Sequence, residues 1–137
     1  PKSGGKMDVV GFHVVTVGSE VSEHERSLFK AGSFEDYLYV HGMGVETAEA
    51  LAEYWHRQIR LEMGIGDQEP DEMRLLFSAK YHGARYSFGY PACPNLEDLL
   101  QPQDIGIELS EEFMLVPEQS TSAIIVHHPE AQYFNIR

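Results

Sequence analysis

The hydrophobic and polar positions of the N-terminal part of the chain predict a strand followed by a short helix. Residues 8–17 are rich in valine, a pattern typical of a largely buried strand. Ser22 and Glu25 then have the spacing of a capping box, so we expect a helix over residues 23–30. The residues of this helix expected to face inward are Leu28 and Phe29.

The most regular pattern in the chain predicts a helix of about thirty residues. After Ser33, a residue type that favours the N-cap, hydrophobic residues recur at spacings of three, four or seven. Gly64 and Gly66 suit the C-terminal cap, whereas Gly42 and Gly44 lie inside the helix, where glycine permits a kink or close contact with another backbone. The recurring residues are Phe34, Leu38, Val45, Ala48, Ala52, Trp55, Ile59 and Met63.

The rest of the chain predicts a shorter helix, an irregular segment and several short strands. Residues 70–81 begin with proline and acidic residues and continue with an apolar stripe, which favours a helix. Residues 85–94 predict an extended, non-regular segment, and residues 95–100 a short helix. Strands are expected at residues 105–109, 113–116, 122–127 and 132–136. The order of elements indicates an α+β fold, with the long helix and shorter helices packed on a twisted antiparallel sheet.

Composition and charge restrict the class of protein. A chain of 137 residues with 42% hydrophobic content fits one domain with its own core. The net charge of −12, without a basic run, argues against nucleic acid and anionic membranes as partners. A single cysteine, no membrane-spanning run and no signal peptide favour the cytoplasm. The start at Pro1, just before the first strand, indicates an excision from something longer.

Three features that resemble catalytic or cofactor sites are better explained by packing. His127 and His128 are neighbours on a predicted strand, so they point to opposite faces and cannot bind one metal ion. Cys93 adjoins no basic residue that would activate its thiol. The residues at positions 42–44, Gly-Met-Gly, lack the third glycine of a dinucleotide-binding motif. We therefore expect neither a catalytic residue nor a metal site.

The segment at residues 85–94 is the best candidate for a ligand pocket. One glycine and two prolines restrict its backbone, and Arg85 stands among aromatic residues. This composition suits a pocket for a flat, charged small molecule. Glu46, Glu49 and Glu53 lie at helical spacing, which is typical of a solvated face, so their importance depends on what faces them.

The pattern Arg-x-x-x-Gly-Tyr-Pro-Ala-Cys-Pro at residues 85–94 resembles the signature of the activation domain of cobalamin-dependent methionine synthase. The likeness extends upstream to residues 48–56 and downstream to residues 128–134, so it covers nearly the whole chain. The family's domain is longer on its N-terminal side. The resemblance therefore implies that residues 1–137 form a single domain that is the C-terminal part of an activation domain.

The resemblance also implies a binding site for S-adenosylmethionine. It places Arg85 on the carboxylate of the ligand, and Glu49 near its ammonium or sulfonium charge. The backbone of Ser87 and Gly89 would cradle the ligand. The contacts expected from the closing strand are an aromatic pair, Tyr133 and Phe134.

In this family the domain offers the methyl group of S-adenosylmethionine to cobalamin after a reductant, flavodoxin or an equivalent reductase, has reduced the oxidised cofactor. The resemblance implies that cobalamin is bound by another domain, which Tyr90 approaches. The chain would thus be part of a methyltransferase without being catalytic alone, since its work is positioning. Because flavodoxin is acidic, a chain of charge −12 would repel it at long range, so its docking surface is expected outside these residues.

A second interpretation is an interaction module that keeps the fold, has lost the ligand, and docks on a cobalamin protein or its reductase. Ligand binding requires Arg85, Glu49 and Tyr133 to converge on one cleft. Docking requires only an exposed apolar patch.

Overall fold

The computed structural model describes residues 4–5, 9–67, 69, 72, 74–75, 78, 81–95 and 107–131. Two helices and five strands lie in this part of the chain, and the α+β class predicted from the sequence is confirmed. In chain order they are β1 (Val10–Thr16), α1 (Ser19–Lys30), α2 (Phe34–Glu62), β2 (Ala84–Ser87), β3 (Glu108–Leu109), β4 (Leu115–Val116) and β5 (Ser120–Val126).

The main sheet is antiparallel and places β5 between β1 and β2. Gly11 of β1 and Arg85 of β2 both lie opposite Ile125 of β5. Two residues further along the strands, His13 and Ser87 both lie opposite Ala123. Because side chains alternate between the faces of a strand, these two rows project from the same face of the sheet. β3 and β4 form a separate two-stranded ladder.

The long helix predicted from the sequence is confirmed as α2, with 29 residues, and it packs on β1 and β5. Its C-terminus is closed as predicted, because Gly64 has φ +69° and its N–H donates to the carbonyl of Leu61 at 3.0 Å. The predicted backbone contact at Gly44 is instead a side-chain contact. A Cβ at this position would lie 2.7 Å from Cγ of Gln119.

The buried face of α2 differs from the one that the apolar spacing suggests. Its buried positions recur every four residues and carry mostly small or polar side chains. Phe34 and Leu38 are 55% and 64% exposed. The buried residues of α2 are Gly44, Ala48, Ala52, His56 and Arg60.

The predicted start of the first helix is wrong. Helix α1 begins at Ser19, so the two capping-box residues lie within its body and make tertiary contacts. The hydroxyl of Ser22 donates to Oε1 of Gln119 at 2.5 Å, and the amide of Gln119 donates to buried Glu25 at 2.5 Å. Phe29, expected inside, is 55% exposed because it packs edge-on against aromatic rings of α2 rather than in the core.

The C-terminal half is more regular than predicted around residue 85. Residues 85–87 belong to β2, after which Gly89 at φ +85° and a bridge between Tyr90 and Cys93 form a tight turn. The predicted strand at 122–127 is β5, shifted by one or two residues at its ends. The predicted helices at 70–81 and 95–100, and the strand at 132–136, lie largely or wholly outside the described residues.

Among the described residues, no helix combines the length and hydrophobicity needed to cross a membrane.

Candidate functional site

Arg85 and two glutamates of α2 form the centre of the candidate site. Nη2 of Arg85 lies 3.5 Å from Oε2 of Glu49 and 3.4 Å from Oε2 of Glu53. The guanidinium side chain is only 16% exposed, whereas the side chain of Glu49 is 49% exposed. The structure therefore brings together two of the residues that the sequence predicts for the ligand, Arg85 and Glu49.

The local fold explains this convergence. Positions 49 and 53 are four residues apart, so they lie on one flank of α2, one turn above the other. Arg85 projects from the sheet face that α2 covers, opposite Ile125, which is 1% exposed. A row of glutamates that would be solvated on an isolated helix thus contacts a cation that is mostly, but not fully, buried.

A second arginine extends the site into the core. Arg60 is fully buried, and its guanidinium donates from Nε and from Nη2 to the carboxylate of Glu69, the latter at 3.0 Å. The same guanidinium lies 3.8 Å from the ring centroid of Tyr81. The hydroxyl of Tyr81 donates to Oε2 of Glu53 at 3.0 Å, which links this inner cluster to Arg85.

Sequence reasoning did not find this inner cluster of Arg60, Glu69 and Tyr81. Charged residues in a helix predict a solvated face, and Arg60 carries no motif that distinguishes it from its neighbours. The spacing of Glu53 one turn after Glu49 was the available signal.

Two histidines and one tyrosine beside the cluster are neutral near pH 7. Burial, together with the nearby charges of Arg60 and Arg85, lowers the pKa of His56 to about 2. Burial and, as the second cause, the positive charge of Arg85 also lower the pKa of His13. Burial and the neighbouring carboxylate of Glu53 raise the pKa of Tyr81 to about 12. The cations of the cluster are therefore its arginines.

The remaining predicted ligand positions follow Arg85 along the chain. Ser87 projects from the same sheet face two residues later and is partly buried, and Gly89 lies in the exposed turn beyond it. Tyr90, predicted to face cobalamin, is 63% exposed at this turn. Tyr133 and Phe134 lie outside the described residues.

The histidines at the end of β5 have different surroundings. The ring of His127 lies 5.6 Å from the ring of buried His56, whereas His128 is exposed. Cys93 is buried at 8% exposure.

The only group of described residues whose side chains converge as metal ligands do lies elsewhere, at Glu25, His41 and Glu118. In this group Glu25 already accepts a hydrogen bond from Gln119, and His41 Nδ1 lies 3.5 Å from its other oxygen. The arrangement is that of a buried carboxylate beside a histidine. It carries no further sign of a metal ion.

Comparison with known proteins agrees with the geometry. Residues 1–137 match the family model described as vitamin B12 dependent methionine synthase, activation domain. The chain is similar to methionine synthase of Mycobacterium tuberculosis, with 49% identity over 144 residues, and to that of Mycobacterium leprae, with 47% identity over 143 residues. Each alignment covers 96% of this chain but 12% of the relative, so the chain spans about an eighth of these proteins.

A solved structure shares the fold. The crystal structure of the MetH reactivation domain bound to AdoHcy matches with a TM-score of 0.83 and 27% identity, over 91% of this chain and 41% of that chain. The resemblance that the sequence motif indicated is confirmed.

Proposed function

We propose, since this chain belongs to the activation domain family of vitamin B12-dependent methionine synthases, that it binds S-adenosylmethionine at Arg85 for reactivation of cobalamin. The observation that carries the proposal is the pairing of Arg85 with Glu49 across β2 and α2. The structurally similar MetH reactivation domain was solved bound to AdoHcy, which is S-adenosylmethionine without its transferable methyl group.

The charge pair matches the amino-acid end of this ligand. That end is a zwitterion, with a carboxylate and an ammonium on one carbon atom. A guanidinium binds a carboxylate through two parallel hydrogen bonds, and a carboxylate accepts from an ammonium. Arg85 binds the ligand's carboxylate, and Glu49, which is half exposed and so able to turn, binds its ammonium.

The turn after β2 supplies the next part of the site. Gly89 has φ +85°, a conformation that favours glycine and lets the backbone pass close to a ligand. The backbone of Ser87 and Gly89 cradles the ligand along this segment. On the family resemblance alone, we also assign Tyr133 and Phe134 to the ligand.

The chain positions the ligand, and a second domain supplies the nucleophile. When held by that domain and reduced by flavodoxin or an equivalent reductase, cobalamin would supply the electron pair that takes the methyl group. The leaving group is a neutral thioether, so this step needs no general acid from the chain. Tyr90, exposed at the turn, faces the cobalamin domain in the closed state.

We further propose that residues 1–137 are one domain, the C-terminal part of a methionine synthase activation domain in the cytoplasm. The charge of −12 supports a docking surface for an acidic flavodoxin outside these residues.

Calorimetric titration with S-adenosylhomocysteine tests the proposal. The wild-type chain should bind with saturation, and Arg85→Ala should bind at least about tenfold more weakly, the equivalent of about 1.4 kcal/mol. Arg74→Ala is the matched control, because Arg74 is an exposed arginine outside the cluster. Equal affinity of the wild type and Arg85→Ala would refute the assigned pocket.

One observation favours the second candidate, a ligand-free docking module. The first half of α2 exposes several large hydrophobic side chains to between 55% and 70%. Such a patch is typical of an interaction surface. Its residues are Phe34, Leu38, Tyr39 and Met43. The docking function is supported if the chain fails to bind S-adenosylhomocysteine but binds an isolated cobalamin-binding domain.

A further inference from the structure

Glu53 contacts Arg85 and two further groups, although the ligand-binding proposal gives it no role. Its Oε2 accepts from the hydroxyl of Tyr81 at 3.0 Å and from Nη2 of Arg85 at 3.4 Å. Its Oε1 is buried and lies 3.8 Å from Nη2 of Arg60. The side chain is 23% exposed, against 49% for Glu49. Glu53 is thus the more enclosed of the two carboxylates that contact Arg85.

The groups behind Glu53 are held in place. Arg60 has no exposed surface, and two donor nitrogens of its guanidinium bind both oxygens of Glu69. The ring of Tyr81 packs on that guanidinium at 3.8 Å. The Tyr81 hydroxyl also keeps its proton at physiological pH, because burial raises its pKa to about 12. Glu53 therefore lies between a fixed cation and a hydroxyl that stays a donor.

The two glutamates consequently differ in what they can do when a ligand arrives. Glu49 is half exposed, and its contact with Arg85 is 3.5 Å long, so it can exchange Arg85 for a ligand ammonium. Glu53 has further partners on the side away from the ligand and keeps its contact with Arg85. An arginine held at one nitrogen by a fixed carboxylate presents its guanidinium in a defined direction.

We propose that Glu53 is a positioning residue, which orients Arg85 for the carboxylate of the bound amino acid, and that Arg60 and Tyr81 hold Glu53 for this purpose. The inference rests on the proposed function, because it assumes that Arg85 binds that carboxylate. It adds a specificity: the cluster selects ligands that carry the amino-acid end and is indifferent to the nucleoside.

The test is a double-mutant cycle by calorimetry on the 137-residue chain, with two ligands. S-adenosylhomocysteine carries the α-carboxylate, and 5′-methylthioadenosine keeps the nucleoside and thioether without it. Glu53→Gln should weaken binding of S-adenosylhomocysteine about three- to tenfold and leave that of 5′-methylthioadenosine unchanged. In the Arg85→Ala background, the same substitution should weaken binding by less than about twofold, because coupled residues are non-additive.

Two further variants separate positioning from folding. Glu46→Gln makes the same chemical change at an exposed position of α2 and should bind both ligands as the wild type does. Tyr81→Phe removes only the hydroxyl that holds Glu53, and it should weaken binding of S-adenosylhomocysteine by a smaller factor than Glu53→Gln does. If Glu53→Gln lowers the melting temperature so far that the chain is unfolded during titration, Tyr81→Phe provides the test instead.

The outcomes for the two proposals are distinct. If Arg85→Ala binds more weakly than the wild type, but neither Glu53→Gln nor Tyr81→Phe alters affinity, the positioning role is overturned and the ligand site stands. Additive effects of Glu53→Gln and Arg85→Ala, or equal losses for both ligands, also overturn it. A wild-type chain without affinity for S-adenosylhomocysteine overturns both proposals.

Discussion

Oε2 of Glu49 lies 3.5 Å from Nη2 of Arg85, across the contact between α2 and β2. The two groups come from segments that are far apart in the sequence, and the antiparallel pairing of β2 with β5 under α2 brings them together. Because of this contact, the glutamates on one flank of α2 belong to a site that carries both a positive and a negative charge.

Glu49→Gln should weaken binding of S-adenosylhomocysteine by about tenfold, because a charge-assisted bond to the ligand ammonium is lost. The melting temperature should change little, since an ion pair with a half-exposed partner contributes less than about 1 kcal/mol to folding. Calorimetry and thermal unfolding measure the two effects. Glu46 is exposed and lies about one helical turn before Glu49, so Glu46→Gln should change neither affinity nor melting temperature. An equal loss of affinity in both variants would contradict the assignment.

Gly44→Ala should lower the free energy of unfolding by about 1–3 kcal/mol, because the added Cβ would lie 2.7 Å from Cγ of buried Gln119. Gly42→Ala is the matched control in the same helix. No atom lies within 4 Å of a Cβ at that position, so alanine should stabilise the helix by up to about 1 kcal/mol. Urea unfolding distinguishes the two, and changes of the same sign would refute the packing assigned to Gly44.

Glu69→Gln should destabilise the chain by about 3–5 kcal/mol, since Arg60 would keep its charge in the core with only the more distant carboxylate of Glu53, at 3.8 Å, to balance it. Glu72→Gln removes the same charge from an exposed position a few residues later and should have an effect within about 0.5 kcal/mol. The measurement is the free energy of unfolding in urea. A loss at Glu69 no larger than at Glu72 would show that the buried pair is unimportant for stability.

The stability of the chain should fall as the pH drops below about 6.5, because His56 binds a proton in the unfolded chain but not in the folded one. The folded-state pKa of His56 is lowered to about 2, chiefly by burial. Stability from this group is therefore complete above the unfolded pKa of 6.5 and declines by about 1.4 kcal/mol per pH unit below it.

Urea unfolding at pH 7 and pH 5 measures this slope, and His56→Gln should make it shallower. His128→Gln, at an exposed histidine, should leave the slope unchanged. An unchanged slope in His56→Gln would show that His56 can be protonated in the folded chain.

The sequence predicted the existence of α2 better than its orientation. Twenty-nine residues of helical periodicity predict the helix, but Phe34 and Leu38, two large hydrophobic residues of that pattern, are exposed to solvent. The face in contact with the sheet is marked by Gly44, Ala48 and Ala52, whose small size permits close approach but contributes little hydrophobicity. A pattern based on hydrophobicity therefore predicts the helix but not the face that contacts the sheet.

The candidate site was predictable where a motif existed. Arg85 and Glu49 were identified because residues 85–94 and 48–56 resemble a known family. Arg60 and Glu69 were missed because buried ion pairs depend on contacts between distant segments, which no local spacing records. The start of α1 was wrong for the same reason, since Gln119 engages the residues that had suggested a cap.

The central place of β5 also governs when the site can form during synthesis. β1 and β2 are both translated before β5, and neither pairs with the other in the main sheet. A nascent chain that has not yet released residue 126 has both partner strands with open edges, and the pairing of β1 with β5 spans most of the 137 residues. Arg85 can therefore take its place beneath α2 only late, and products that terminate early would expose strand edges that favour aggregation.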